Sequence, residues 1–456
     1  MHRQMNIAFR PGLVVIASLA LSAGLIVQSN EAAARARPQH SKAAHKSHVR
    51  GKQERIVVLK VKPAARAATE RATAKIAAAE ANPGDESNVS QQVSASAAES
   101  VMSRADILAA QAGRLERAGR HIIAGFLRFD ELRPLVEKRA IGGIFITDHN
   151  VRGLSAADIK NQISALQTIR TGQGLPPLII AADQEGGTVS RLSPPLKRQP
   201  ALGQIIAKLP NDAARKAAVT AYAAEQAQEL KRIGVTLNFA PVVDLKLTEP
   251  GREDGETKLR MRAIGDDPYL VSKVGSWYCD GLAKSGILCT LKHFPGLGRV
   301  LRDTHVAFGG VDATEGKLEL NDWVPFRRVM QRPNAATMLG HVFVQALDNE
   351  RPASYSKVII TDLIRDRWQY DGLLITDDFS MGAITGSKSG AGGAAVKSLN
   401  AGGDFVLVSY LEEHYDRVMS AILAADENGT LDQDVRAKSR ERIKRVLDPT
   451  TWAPPE

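Results

Sequence analysis

Cysteine is nearly absent from this 456-residue sequence, which holds only Cys279 and Cys289. Two cysteines do not make a disulfide framework, and they say little about compartment. Cys289 sits in the apolar run Ile287-Leu288-Cys289-Thr290-Leu291, where a buried free thiol is expected. No glycine-rich dinucleotide turn follows the first apolar run, which argues against a doubly wound open sheet. No His-x-His or His-x3-His pair is present, so Asp183, Asp377, His293, His305 and His341 are not read as metal ligands, and neither a metal nor a cofactor is expected. A basic strip interleaved with aromatics is also missing, which excludes nucleic acid as the main partner.

The positive charge is local. The formal charge is +10, yet residues 1–120 hold 18 Lys/Arg against 9 Asp/Glu, while the remainder holds 42 against 41. The start of the chain has Arg3 and Arg10 before the apolar stretch Gly12 to Val27, then Ala32-Ala33-Ala34. This is the pattern of an export signal over residues 1–34, with an uncleaved N-terminal anchor as the alternative. No cysteine follows the apolar run, so a lipoprotein anchor is not expected. Residues 35–102 are rich in Ala, Lys, Arg, Ser and Gln and read as a disordered tether whose basic charge could touch the cell envelope. The expected location is periplasmic or extracellular. Ser103 with Asp106 reads as a helix start. Residues 103–447 form the expected folded domain, and 448–456 a short tail.

Within that domain, apolar runs alternate with helical patterns. The expected strands cover 122–127, 142–147, 178–182, 235–240, 287–292, 336–339, 372–376 and 405–408. Helices are expected over 156–170, 213–232, 269–285, 323–332 and 357–368. Continuous apolar strands separated by helices imply a parallel sheet covered by helices. Eight such units predict a single (β/α)8 TIM-type barrel, whose site lies at the C-terminal ends of its strands.

Polar residues recur at those ends. Asp183-Gln184-Glu185-Gly186-Gly187 follows the third run, with Arg191 nearby; Asp244 follows the fourth; Lys292 and His293 the fifth; His341 the sixth; Asp377-Asp378 the seventh. One case would be an ordinary cap, whereas five on one rim suggest a site. Carboxylates there can act as nucleophile or acid/base, and forked charged groups suit a polyhydroxylated ligand.

Together these segments resemble family 3 glycoside hydrolases, in the branch of bacterial β-N-acetylglucosaminidases. The resemblance rests on Asp183-Gln184-Glu185-Gly186-Gly187, Asn238-Phe239-Ala240-Pro241-Val242-Val243-Asp244, Lys292-His293-Phe294-Pro295-Gly296, Asp303-Thr304-His305 and Thr376-Asp377-Asp378-Phe379-Ser380-Met381. It implies Asp377 as nucleophile, His305 as acid/base and Asp303 as the group that orients His305. It implies sugar binding by Asp183, Arg191, Arg262, Lys292 and His293, with Arg260 as a competing register for Arg262. Two departures stand out. Leu297 replaces a second histidine of the family stretch, and Ala263-Ile264 replaces Ser-Phe, which bears on sugar selectivity.

The expected activity is a retaining exo-β-N-acetylglucosaminidase that removes terminal N-acetylhexosamine from peptidoglycan- or chitin-derived glycans through a covalent Asp377 intermediate. Adjacent acids also occur in hexosaminidases that use the substrate's own acetamido group, but Asp303 and His305 already supply an acid/base, so Asp378 is read as supporting. The alternatives are an N-acetylglucosaminide phosphorylase and a non-catalytic wall-binding protein. A monomer is expected. Gly296 and Gly298 are expected to let the following loop move and close on the substrate.

Overall fold

A computed structural model describes residues 101–452 apart from Glu253 and Glu412. The expected signal segment 1–34, almost all of the linker 35–102 and the last residues of the tail lie outside the described residues.

Eight strands close into a barrel. In chain order they are β1 Ile122–Gly125, β2 Gly143–Ile146, β3 Ile179–Ala182, β4 Leu237–Asn238, β5 Leu288–Phe294, β6 Ala335–Leu339, β7 Leu374–Asp378 and β8 Phe405–Val408. Each pairs in parallel with its sequence neighbours, and β1 pairs with β8 to complete the ring. All eight expected strands are therefore present.

The continuous apolar runs follow from burial on both faces. Ile123, Ile179, Ala181, Leu237, Leu288, Ile375, Phe405 and Leu407 fill the barrel interior. Their neighbours Ile122, Ala124, Ile180, Ala182, Val406 and Val408 pack outward under the helices. Side chains alternate along a strand, so a strand buried on both faces is mostly apolar along its whole length. Each such Ile or Leu contributes about 1.5–3 kcal/mol by leaving water.

The helices start where short polar side chains can hold unpaired backbone donors. Ser103 accepts from the Asp106 N–H. Ser155 and Asp158 form a reciprocal capping box at the start of Ala156–Gly172. Asp267 accepts from the N–H groups of Tyr269 and Leu270, with Pro268 opening Pro268–Ala283. Helix Asp212–Ile233 ends on Gly234 at φ +92°, where a side chain would be strained. The helix expected over 357–368 is wound as a π-helix, Val358–Arg367.

One expectation is corrected. Cys279 and Cys289 are not free thiols: Cys279 in helix Pro268–Ala283 is bonded to Cys289 in β5. Each lies in its own apolar element, and only the turn that folds this helix back onto the strand brings them together. Part of the segment expected as a tail from 448 is packed on the domain. Trp452 is buried, donates its indole N–H to the Val446 carbonyl at 2.9 Å, and joins Ile443 and Val446 against the barrel interior.

Candidate active site

A cavity of about 380 Å³ is lined by residues from the C-terminal ends of β2, β3, β5, β7 and β8 and the loops that follow. Asp183, Arg191, Arg262, Lys292, His293, His305 and Asp377 all face it. Asp303 stands against His305.

On one wall a buried network of opposite charges lies at the β3 and β5 ends. Lys292 Nζ is 2.5 Å from Asp183 Oδ1 and 2.6 Å from Glu185 Oε1. Arg262 forks onto Glu185, with Nε donating to Oε2 at 2.9 Å and Nη2 to Oε1 at 2.6 Å. Burial alone would push the Glu185 carboxyl up, but Arg262 and Lys292 hold it down at about 2. Buried charges are tolerated only when paired in this way. The Lys292–His293 peptide is cis. His293 donates from Nδ1 to Asp244 Oδ2 at 2.7 Å, which leaves Nε2 as an acceptor 3.4 Å from Arg262 Nη2. Asp244 is fully buried and also accepts from the backbone N–H groups of His293 and Leu297.

The loop after β5 supplies a further part of the lining. Arg252 binds the carbonyls of Leu297, Gly298 and Val300. Gly298 is a packing position, because a Cβ there would stand 2.6 Å from the Leu245 carbonyl oxygen. Strand Gly309–Val311 then pairs with Val342–Val344 beyond β6. The expected hinge at Gly298 is thus a fastened segment. It delivers His305, whose Nδ1 lies 2.8 Å from Asp303 Oδ1. The Asp303 carboxylate also accepts from the N–H groups of Glu256 and Thr257 at 2.8 and 2.9 Å and from the Thr257 hydroxyl at 2.8 Å. Burial opposes its ionisation, but these donors and His305 hold it well below the usual carboxylate range. Since Nδ1 faces a carboxylate, Nε2 is the nitrogen that can exchange a proton with a ligand.

Asp377 stands at the end of β7. Burial works against its ionisation, but the imidazoles of His293, His341 and His305 outweigh it and lower its pKa. Asp378 differs. Its Oδ1 accepts from the backbone N–H groups of Ser380 and Ser409, tying β7 to β8, and burial raises its pKa. His341 is buried, takes the Ser354 hydroxyl on Nδ1 and donates from Nε2 to the Asp378 carbonyl. Burial lowers its pKa against the pull of the Asp377 and Asp378 charges.

Arg262 faces the cavity, whereas Arg260 is exposed and does not line it. Ala263 and Ile264 are buried in the core rather than in the cavity, so the departure there does not touch a ligand directly. Leu297 does line it. Arg191 sits at the exposed rim, 4.0 Å from Asp148. Sequence reasoning left Glu185 unassigned, although it lies in the motif beside Asp183. It gave no role to Asp148 and His149, which follow a strand end and could have been found that way, nor to Thr257, which carries no local signal. Among the described residues, no three His, Cys, Asp or Glu side chains cluster as a metal site needs.

A carboxylate, Asp377, and a histidine paired with Asp303 thus face one polar cavity at the mouth of a (β/α)8 barrel, where barrels of this kind carry their active sites. Residues 118–446 match the family described as glycosyl hydrolase family 3 N terminal domain. The chain is 32% identical over 308 residues to a β-hexosaminidase of Chromobacterium violaceum, covering 66% of this chain and 80% of that protein. It is 29% identical over 325 residues to a β-hexosaminidase of Idiomarina loihiensis, covering 71% and 91%. The structure of a family 3 β-N-acetylglucosaminidase from a Paenibacillus species superposes with a TM-score of 0.67 at 30% identity, covering 75% of this chain and 63% of that one. The chain therefore belongs to family 3 of the glycoside hydrolases, in its β-hexosaminidase branch.

Proposed function

We propose that the protein is a retaining exo-β-N-acetylglucosaminidase that acts on peptidoglycan- or chitin-derived glycans outside the cytoplasm. The observation that carries this reading is that the Asp303–His305 pair, on the loop after β5, and Asp377, at the end of β7, meet at one cavity. The Asp377 carboxylate attacks the anomeric carbon as the glycosidic C–O bond breaks. The Nε2 proton of His305 goes to the departing oxygen. Water then attacks the glycosyl–Asp377 ester, His305 takes the water's proton, and Asp377 leaves as carboxylate. The buried cluster of Asp183, Lys292, Glu185 and Arg262 supplies donors and acceptors for sugar hydroxyls, with His293 and Arg191 beside it.

The occupied bonds of Asp378 favour direct attack by Asp377 over a mechanism that uses the substrate's acetamido group. Export is supported by the Cys279–Cys289 disulfide, since such bonds persist mainly in oxidising compartments. The basic N-terminal segment would then face the envelope.

The test is to trap the intermediate with a fluorinated N-acetylglucosaminyl substrate that slows the second step. A covalent sugar adduct on the peptide carrying Asp377, absent in Asp377→Ala, is expected. Turnover by Asp377→Ala at the wild-type rate would sink the mechanism. Dominant sugar-1-phosphate release in phosphate buffer would convert the reading to phosphorolysis.

A further inference from the structure

The aspartate that orients an acid/base histidine must itself be held. The terminal torsion of an Asp side chain is soft, so the direction of its oxygens is set by what they bind. In this site Asp303 Oδ1 is the atom that meets His305 Nδ1 at 2.8 Å. The backbone N–H groups of Glu256 and His305 also donate to that carboxylate, at 2.8 and 3.1 Å, but among the described residues only Thr257 binds both of its oxygens. Thr257 gives its hydroxyl to Oδ1 at 2.8 Å and its N–H to Oδ2 at 2.9 Å. Its hydroxyl oxygen also lies 3.5 Å from His305 Nδ1. Thr257 is buried, and its carbonyl accepts from Arg262 Nη1 at 2.8 Å. The same guanidinium forks onto Glu185, which pairs with Lys292, which pairs with Asp183. A continuous polar chain thus runs from the sugar-facing cluster, through Thr257, to the proton donor.

We propose that Thr257 is the positioning residue of the Asp303–His305 pair: it aims the Asp303 carboxylate at His305 and ties that aim to Arg262. The proposal rests on His305 being the acid/base. With the hydroxyl removed, Oδ1 loses one of its restraints, the carboxylate gains torsional freedom, and His305 samples poses away from the departing oxygen. A misplacement on the scale of 1 Å in a reacting geometry is enough to cost a large factor in rate. The loss falls on steps that need a proton. A leaving group that departs readily as an anion needs little protonation, whereas a sugar alcohol needs full protonation.

The experiment compares wild type, Thr257→Val, Thr257→Ser and His305→Ala. For each, kcat/KM is measured on aryl N-acetylglucosaminides of graded phenol acidity and on a GlcNAc disaccharide, with thermal unfolding recorded alongside. Thr257→Val is expected to lose about tenfold or more on the disaccharide and the least acidic phenols, yet little on the most acidic phenol. Thr257→Ser should restore the wild-type slope, because it keeps the hydroxyl. Equal loss across all leaving groups, or no loss, in a Thr257→Val protein whose His305→Ala counterpart shows a steep slope would overturn the proposal. A flat slope in His305→Ala would instead overturn the acid/base reading on which the proposal stands.

Discussion

Gly382 donates its backbone N–H to the carbonyl of His305 across 3.1 Å, so the loop carrying His305 is fastened to the segment that follows Asp377. The approach is close. A Cβ on Gly382 would stand 2.9 Å from the Val306 carbonyl oxygen and 3.3 Å from that of His305. Asp377 and His305 arrive from different strands, and this contact sets one against the other.

Gly382→Ala should therefore push the loop outward while leaving the barrel folded. Activity on a poor leaving group is expected to fall about tenfold or more, since small displacements of reacting groups are costly. Steady-state kinetics with a thermal melt as control checks this. Unchanged kcat/KM would show that the contact does not set the loop.

Glu185→Gln leaves Lys292 and Arg262 facing each other in a buried site with their shared counter-charge gone. Losing one partner of a buried ion pair costs about 3–5 kcal/mol, so the melting temperature should drop sharply. The effect depends on pH with a definite sign. The carboxyl titrates at about 2 in the folded protein against an ordinary 4.5. A lowered folded pKa contributes stability that is complete above the unfolded value and is lost as pH falls through the folded one. The gap between wild type and variant should hold near neutrality and close progressively in acid. A gap that widens in acid would contradict the pairing.

Arg262→Ala and Arg260→Ala should separate cleanly. Arg262 binds Glu185 and the Thr257 carbonyl inside the cavity, whereas the Arg260 side chain is exposed outside it. Loss of Arg262 is expected to impair both activity and stability, and loss of Arg260 to leave both near wild type. Kinetics and melts of the two purified variants decide this, and similar losses in both would mean the register is misassigned.

Replacing Cys279 and Cys289 together with alanine removes a bridge that spans a sequence separation of 10 residues. Closing a loop of that size is worth about 2–3 kcal/mol, and β5 carries Lys292 and His293 just beyond the bridge. A lower melting temperature for the double variant is expected. Intact-mass measurement of wild-type protein before and after reduction should reveal two newly alkylatable thiols only after reduction. Two reactive thiols without reduction would contradict the bond.

The eight strands were readable because burial on both faces favours apolar runs, as β1, β2, β3 and β8 show at every position. The rim was readable because polar residues that end such runs, like Asp183, Lys292 and Asp377, have no reason to be there for packing. Glu185 was within view but unassigned. Its role depends on Arg262 arriving from 77 positions away, and no local pattern reports such a meeting. Thr257 was invisible for the same reason: it lies in an irregular segment and matters only through Asp303, which belongs to another loop.

The sequence by itself determined the barrel and the polar residues, such as Asp183, Lys292 and Asp377, that end its strands. These follow from one-dimensional patterns, namely apolar runs, helix spacing and motif order, which are properties of the chain before it folds. Tertiary structure alone decided that Cys279 meets Cys289, that Arg262 rather than Arg260 turns inward, that Gly298 is packed against the Leu245 carbonyl, and that Asp378 takes backbone donors from Ser380 and Ser409 while Asp377 takes only that of its neighbour Asp378 and lines the cavity. Each of these is a contact between elements, and its energy depends on distance and burial that exist only once the ring of strands has closed.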